Sequence, residues 1–171
     1  YDDASLLVRN MLLSPRLFSQ DDAHKARMNC NLGVIALARG GNPVAQQHFN
    51  RVLEKLPPYD PQTTPVILRA LVMWYLETEQ SARALEALSQ LDTRQFSALA
   101  RDQRWIMLAQ KAWANAQQNH ADAAQRALEE ALEFHQQILC ADQAMLQYIA
   151  DRTYYCLGEK NSGRHYLYNA I

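Results

Sequence analysis

Five times along this chain a small residue is followed by apolar residues four and seven positions later: Ala4/Val8/Met11, Ala45/Phe49/Val52, Ala84/Leu88/Leu91, Ala124/Leu128/Ala131 and Gly163/Leu167/Ala170. The first members of these sets are 41, 39, 40 and 39 residues apart. Offsets of four and seven put all three side chains on one face of a helix. A fixed period in such a pattern constrains the fold more than any other feature of the sequence. A short helical unit cannot bury its apolar face alone, and stacking on its neighbours makes a continuous core.

The breaks between helices keep the same phase. Five residues before each of the last four small residues stands a turn: Gly40-Gly41, Glu79-Gln80, Asn119-His120 and Gly158-Glu159. Glycine ends a helix readily because it reaches positive φ without a Cβ clash. Gly40-Gly41, inside "LARGGNPVAQQHF", therefore reads as punctuation and not as a phosphate cradle. Upstream of each turn lies another amphipathic helix, marked by Leu32-Gly33 and Ala36, Leu71-Val72 and Tyr75, Trp105, Leu108-Ala109 and Ala112, and Ala150 and Tyr154. The pair-to-turn distance is eight residues in three units and eleven in the third. That difference predicts a three-residue insertion and a longer first helix in the third unit.

The palette supports an all-α fold: Ala, Leu, Gln, Glu and Arg dominate, Gly (5) and Pro (6) are few, and β-branched runs are almost absent. A chain of 171 residues can bury a self-sufficient core as one domain. With 17 basic against 18 acidic residues there is no large field of either sign, so no direct nucleic-acid contact is expected. The three cysteines, Cys30, Cys140 and Cys156, form an odd set with no close pair, which fits a reducing compartment and a cytoplasmic location. No apolar run long enough for a membrane span and no signal-peptide pattern is present, and no membrane association is expected.

Candidate catalytic and cofactor patterns are weak. "GEKNSGRH" (158–165) spaces two glycines like a phosphate loop, but Arg164 and His165 stand where Lys and a hydroxyl residue are needed, and no strand pattern precedes it. The histidines His24, His48, His120, His135 and His165 lack zinc-site spacing to one another and to the cysteines. Cys30 and Cys156 read as small packing residues on first helices. No catalytic residue, metal or cofactor is expected, and the chain reads as a non-enzyme.

The segment "NLGVIALARGGNPVAQQHFNRVLEKLP" (31–57) resembles a tetratricopeptide repeat (TPR). Leu32 and Gly33 stand where that family has Leu-Gly on the first helix, Gly40 at its turn, Ala45 and Phe49 on its second helix, and Pro57 at its close. "YYCLGEKNSGRHYLYNAI" (154–171) is similar to the motif's second half, with Gly158 at the turn, Gly163 in place of Ala, and Leu167. The middle units match only in apolar spacing, at Ala84 and Leu88 and at Ala124 and Leu128. The period of about 40 residues is longer than the family's usual 34 and overlaps the roughly 40–47 of HEAT and armadillo units; the Gly-turn-Ala phase favours the tetratricopeptide resemblance. The resemblance implies a right-handed superhelix (α-solenoid) of helical hairpins. Its expected parts are the second helix of a truncated repeat at 1–16, repeat 1 at 22–57, repeat 2 at 63–92, repeat 3 at 96–139 and repeat 4 at 141–171. The expected caps are Asp21-Asp22, Thr63-Thr64 before Pro65, and Asp142, with Pro57, Pro58 and Pro61 stopping a helix near 56.

In such stacks the first helices line a concave wall. Counting from the packing positions gives Arg27, Cys30, Val34 and Leu37; Val66, Arg69, Met73 and Leu76; Gln103, Ile106, Gln110 and Trp113; and Met145, Tyr148, Arg152 and Tyr155. Arg27, Arg69, Met73, Gln110, Trp113, Tyr148, Arg152 and Tyr155 are the expected partner contacts, because aromatic and Arg side chains most often anchor interfaces. Lysine and asparagine are missing from the positions that some TPR domains use to clamp a terminal carboxylate. The expected role is a protein–protein interaction and regulatory module in a larger transcriptional or signalling regulator, with a protein or peptide ligand on the concave face. The alternatives are a free-standing chaperone or assembly factor for secretion or pilus components, and a small-molecule sensor. Because the chain starts in the phase of a second helix, it is expected to be a fragment of a larger protein, and its apolar terminal helices suggest a homodimer.

Overall fold

The computed structural model describes residues 22–54, 60–91, 93–134 and 140–159. Within them the chain is α-helical: α1 (Asp22–Ala38), α2 (Asn42–Glu54), α3 (Thr64–Glu77), α4 (Ser81–Ser89), α5 (Thr93–Ala98), α6 (Arg101–Gln117), α7 (Ala121–Leu132) and α8 (Cys140–Cys156). The sets at Ala4 and Gly163, with Asp21, Pro57 and Leu167, lie outside the described residues. The fold divides into two compact units, Tyr1–Trp74 and Tyr75–Ile171, and α3 runs through the boundary.

Four helix ends share one backbone solution. Gly41 N–H donates to Ala36 O (2.9 Å) and Gly40 N–H to Leu37 O (2.8 Å). The same two bonds recur as Gln80 to Tyr75 O and Glu79 to Leu76 O, as His120 to Asn115 O and Asn119 to Ala116 O, and as Glu159 to Tyr154 O and Gly158 to Tyr155 O. This is the Schellman arrangement, and its pivot needs a left-handed backbone. The pivots are Gly40 (φ 72°), Glu79 (φ 58°), Asn119 (φ 60°) and Gly158 (φ 80°). They recur every 39 or 40 residues, at the breaks expected from the sequence. Asparagine tolerates this region, whereas glutamate gains nothing there and carries the Cβ penalty.

Past the pivot the next helix starts at once: Ala45, Ala84 and Ala124 donate to the carbonyls of Gly41, Gln80 and His120. All three alanines have no exposed surface. In the first unit α1 and α2 pack as an antiparallel pair, and the crossing is tight. A Cβ placed on Gly33 would come within 2.7 Å of the Phe49 ring. That ring is fully buried and stacks on Trp74 at 4.9 Å, so it has no room to retreat. His48 Nδ1 pairs with Asn29 Oδ1 at 3.1 Å and ties the same two helices at their rim. In the second unit α6 and α7 form an antiparallel pair, with α4 and α8 both packed on α6. Trp105, Met107, Leu128, Leu146 and Ile149 fill this core. Gln117 Nε2 donates to Leu76 O (3.1 Å) and Gln118 Nε2 to Ser81 Oγ (2.6 Å), joining one hairpin's turn to the previous one.

Several local expectations need correcting. Helix α6, with 17 residues, is three longer than α3 (14) but equal to α1 and α8, and the pivots at 79, 119 and 158 leave no three-residue insertion in the repeat. Aligned on the turns, Ala112 takes the place of Gly33 and Val72. Successive alanines at 109, 112, 114 and 116 made the phase ambiguous in the sequence. The cap of α3 lies further upstream than Thr63. Asp60 Oδ2 accepts from Thr63 N–H (2.6 Å) and Thr64 Oγ1 accepts from Asp60 N–H (2.8 Å), a reciprocal cap that makes Pro61 part of the entry turn and not a stop. Helix α8 begins at Cys140, so Asp142 lies inside its first turn and not at its cap. The short α5 stands between the second and third hairpins without a counterpart elsewhere among the described residues.

Two substitutions test this geometry by equilibrium denaturation. Gly33→Ala drives a methyl into the Phe49 ring and is expected to destabilise by about 1–3 kcal/mol, the range for overpacking. Glu79→Gly removes a left-handed non-glycine pivot and is expected to stabilise by about 1 kcal/mol. A neutral Gly33→Ala, or a destabilising Glu79→Gly, contradicts the tight crossing or the turn respectively.

Candidate functional site

Alignment on the four pivots gives each first helix four positions on one face, at thirteen, ten, six and three residues before the pivot. In α8 these are Met145, Tyr148, Arg152 and Tyr155. In α1 they are Arg27, Cys30, Val34 and Leu37, and in α3 Val66, Arg69, Met73 and Leu76. In α6, once the supposed insertion is removed, they become Ile106, Ala109, Trp113 and Ala116.

The α8 stripe is the best developed of the four. Tyr155 is 56% exposed and Met145 38%, while Tyr148 and Arg152 are half-buried between them. The guanidinium of Arg152 lies over the Trp113 ring at 5.3 Å and over the Tyr155 ring at 6.0 Å, so two aromatic faces hold it. The Tyr148 ring meets Trp113 edge to face, with centroids 6.0 Å apart at 88°. Its hydroxyl donates to Glu77 Oε1 at 2.8 Å, at the end of α3. Glu77, Trp113 and the α8 residues thus come from three successive first helices, α3, α6 and α8, and meet at one place. Burial pushes the Tyr148 phenol up to about 12, helped by the hydrogen bond to Glu77 and by that carboxylate's charge.

The expected contacts separate into three groups. Tyr148, Arg152 and Tyr155 are brought together on α8. Arg27 is exposed on α1, while Arg69 and Met73 are half-buried on α3, in or adjoining the first unit. Trp113 and Gln110 have no exposed surface, which corrects their reading as surface contacts. Trp113 supports the α8 side chains from beneath, and Gln110 falls off the stripe once the phase of α6 is set by its turn. Sequence reasoning missed Glu77. Only the depth at which Tyr148 reaches across α6 reveals it, and no periodic signal marks it.

The thiols of Cys30 and Cys156 are both held in the protonated form by burial. Burial raises the half-buried Cys156 thiol, outweighing the opposing influence of Arg152 and of the Trp113 indole, so the thiolate nucleophile is disfavoured. The Cys30 thiol, fully enclosed in α1, is pushed up to about 12 by burial. Among the described residues no group of three or more His, Cys, Asp or Glu is placed to hold a metal, and no helix is long and apolar enough to cross a membrane. Comparison with protein-family models, curated proteins and solved structures finds no match.

The Tyr148–Glu77 bond gives a pH signature. Phenol ionisation near pH 10 in the unfolded chain and about 12 in the folded one means the contribution is fully present below pH 10 and is lost as pH rises toward 12. Tyr148→Phe is expected to destabilise by about 1 kcal/mol at neutral pH. Its denaturation midpoint should converge with that of the unmodified chain across the alkaline window. Parallel curves would remove the bond from the account.

Proposed function

We propose that this chain is a TPR-like scaffold, a non-catalytic module that binds a protein or peptide on the face carrying Tyr148, Arg152 and Tyr155. One observation carries the reading: helical hairpins closed by the same backbone turn recur every 39 or 40 residues, in register with small buried residues. A repeat of this kind presents equivalent positions of successive helices side by side and makes an extended surface from them. The partially exposed aromatic and arginine side chains on that surface have the chemistry of interface anchors. In this proposal the hairpins wind as a right-handed superhelix within a cytoplasmic regulator of transcription or signalling. A second copy stacking on the terminal helices is part of the same proposal.

Selection from a random peptide library against the whole chain tests it. Enriched peptides are expected to lose about tenfold or more in affinity with Tyr155→Ala, the loss typical of a moderate anchor. Arg126→Ala, on the exposed face of α7, should leave them unchanged. Failure to enrich any peptide, or equal binding by both variants, overturns the proposal.

A further inference from the structure

We propose that the α8 face selects a basic, apolar peptide, in which an aliphatic or aromatic residue rests on Tyr155 and Met145 while a flanking Lys or Arg meets the carboxylates of Glu77, Glu79 and Asp151. The inference rests on the binding role proposed above and adds the sign of the partner's charge. Met145 and Tyr155 supply the exposed apolar surface, 38% and 56% accessible. The charges around them are unequal. Among the described residues Glu77 is bonded to Tyr148, Asp151 precedes Arg152 on α8, and Glu79 is the pivot two residues past Glu77, so three carboxylates and one guanidinium border this face. The charges of Glu77, Asp151 and Arg152 are felt by the Tyr148 phenol and those of Glu79 and Arg152 by the Cys156 thiol.

Among the described residues none of these three carboxylates has a basic side chain in ion-pair distance. Glu77 has Tyr148 as its hydrogen-bond donor, and the Arg152 cation is taken up by the Trp113 and Tyr155 rings instead. Glu77 and Glu79 are exposed and Asp151 half-exposed, so all three remain hydrated and able to meet a cation. An anionic partner would face this acidic rim with Arg152, the cation that the described residues place beside it, already stacked between two rings. A cationic one gains from all three carboxylates, and its recognition is sensitive to salt because the pairs are at the surface. Stacking on Arg152 also holds the exposed Tyr155 ring in place, which lowers the ordering cost of the apolar contact.

Fluorescence anisotropy with three labelled synthetic peptides of equal length, Lys/Leu, Glu/Leu and Gln/Leu, tests the charge preference on the whole chain. The Lys/Leu peptide is expected to bind about tenfold more tightly than the Glu/Leu peptide at low salt and to lose that advantage as salt is raised. In the double variant Glu77→Gln/Asp151→Asn the introduced glutamine's amide oxygen can still accept from Tyr148. That variant should cut Lys/Leu binding about tenfold while leaving the circular dichroism and Gln/Leu binding unchanged. Equal or tighter Glu/Leu binding, or Lys/Leu binding indifferent to the double variant, overturns the charge assignment. In that case a loss of all three peptides with Tyr155→Ser still supports the α8 face. Absence of binding by any peptide overturns both.

Discussion

Everything in this architecture depends on a helix end that reverses direction at a left-handed residue. The Schellman pair of bonds satisfies two terminal carbonyls, and the left-handed pivot swings the chain so that the next helix begins within three residues. A reversal that short leaves the two helices close together, and the side chain five residues past the pivot falls at their crossing. Alanine at 45, 84 and 124 follows from that geometry, with Gly33 opposite Phe49 in the tightest case. A larger residue would push the helices apart and break the turn or the packing beneath it.

Repetition of one hairpin carries the packing logic to the surface. In the second unit α6 and α8 pack on one another with their pivots 39 residues apart, and the bulk on their shared face is divided between them. Helix α6 contributes Ala109 and Ala116 on either side of Trp113. Those small residues leave space above the helix, and the long side chains of α8 cross it: Tyr148 reaches Glu77, and Arg152 lies down on the indole. The burial of Trp113 is thus produced by the shortness of its own neighbours. Its contribution is as a floor, fixing the orientation of side chains that do meet solvent.

The period, the helical content and the turn positions were legible in the sequence, including the two pivots that are not glycine. Spacing alone located Glu79 and Asn119, since neither residue type announces a positive φ as firmly as glycine does. The buried small residues were legible for the same reason. The phase of α6 was not: in an alanine-rich helix several residues can serve equally as the close-packed position, and only the backbone turn decides. An error of three residues there carried Gln110 onto the stripe. Depth was also hidden, because a pattern of types says which face a residue occupies but not what the next helix lays over it. Glu77 was missed because its role comes from a residue 71 positions away.

The way Arg152 is held matters for what this surface can do. A carboxylate partner would have neutralised the guanidinium and closed the face with a directional, hydrated ion pair of little net value. Two aromatic rings instead hold the cation through its faces and keep the aliphatic stem packed, and among the described residues the nearby carboxylates have no basic partner. Under the proposed binding role, stability and recognition are thereby separated: the stack on Trp113 belongs to the core, whereas the acidic rim and the exposed ring of Tyr155 can change character without disturbing it. A repeat scaffold can diversify its ligands in this way, since substitutions at the rim alter charge while the pivots and crossings that set the fold stay as they are.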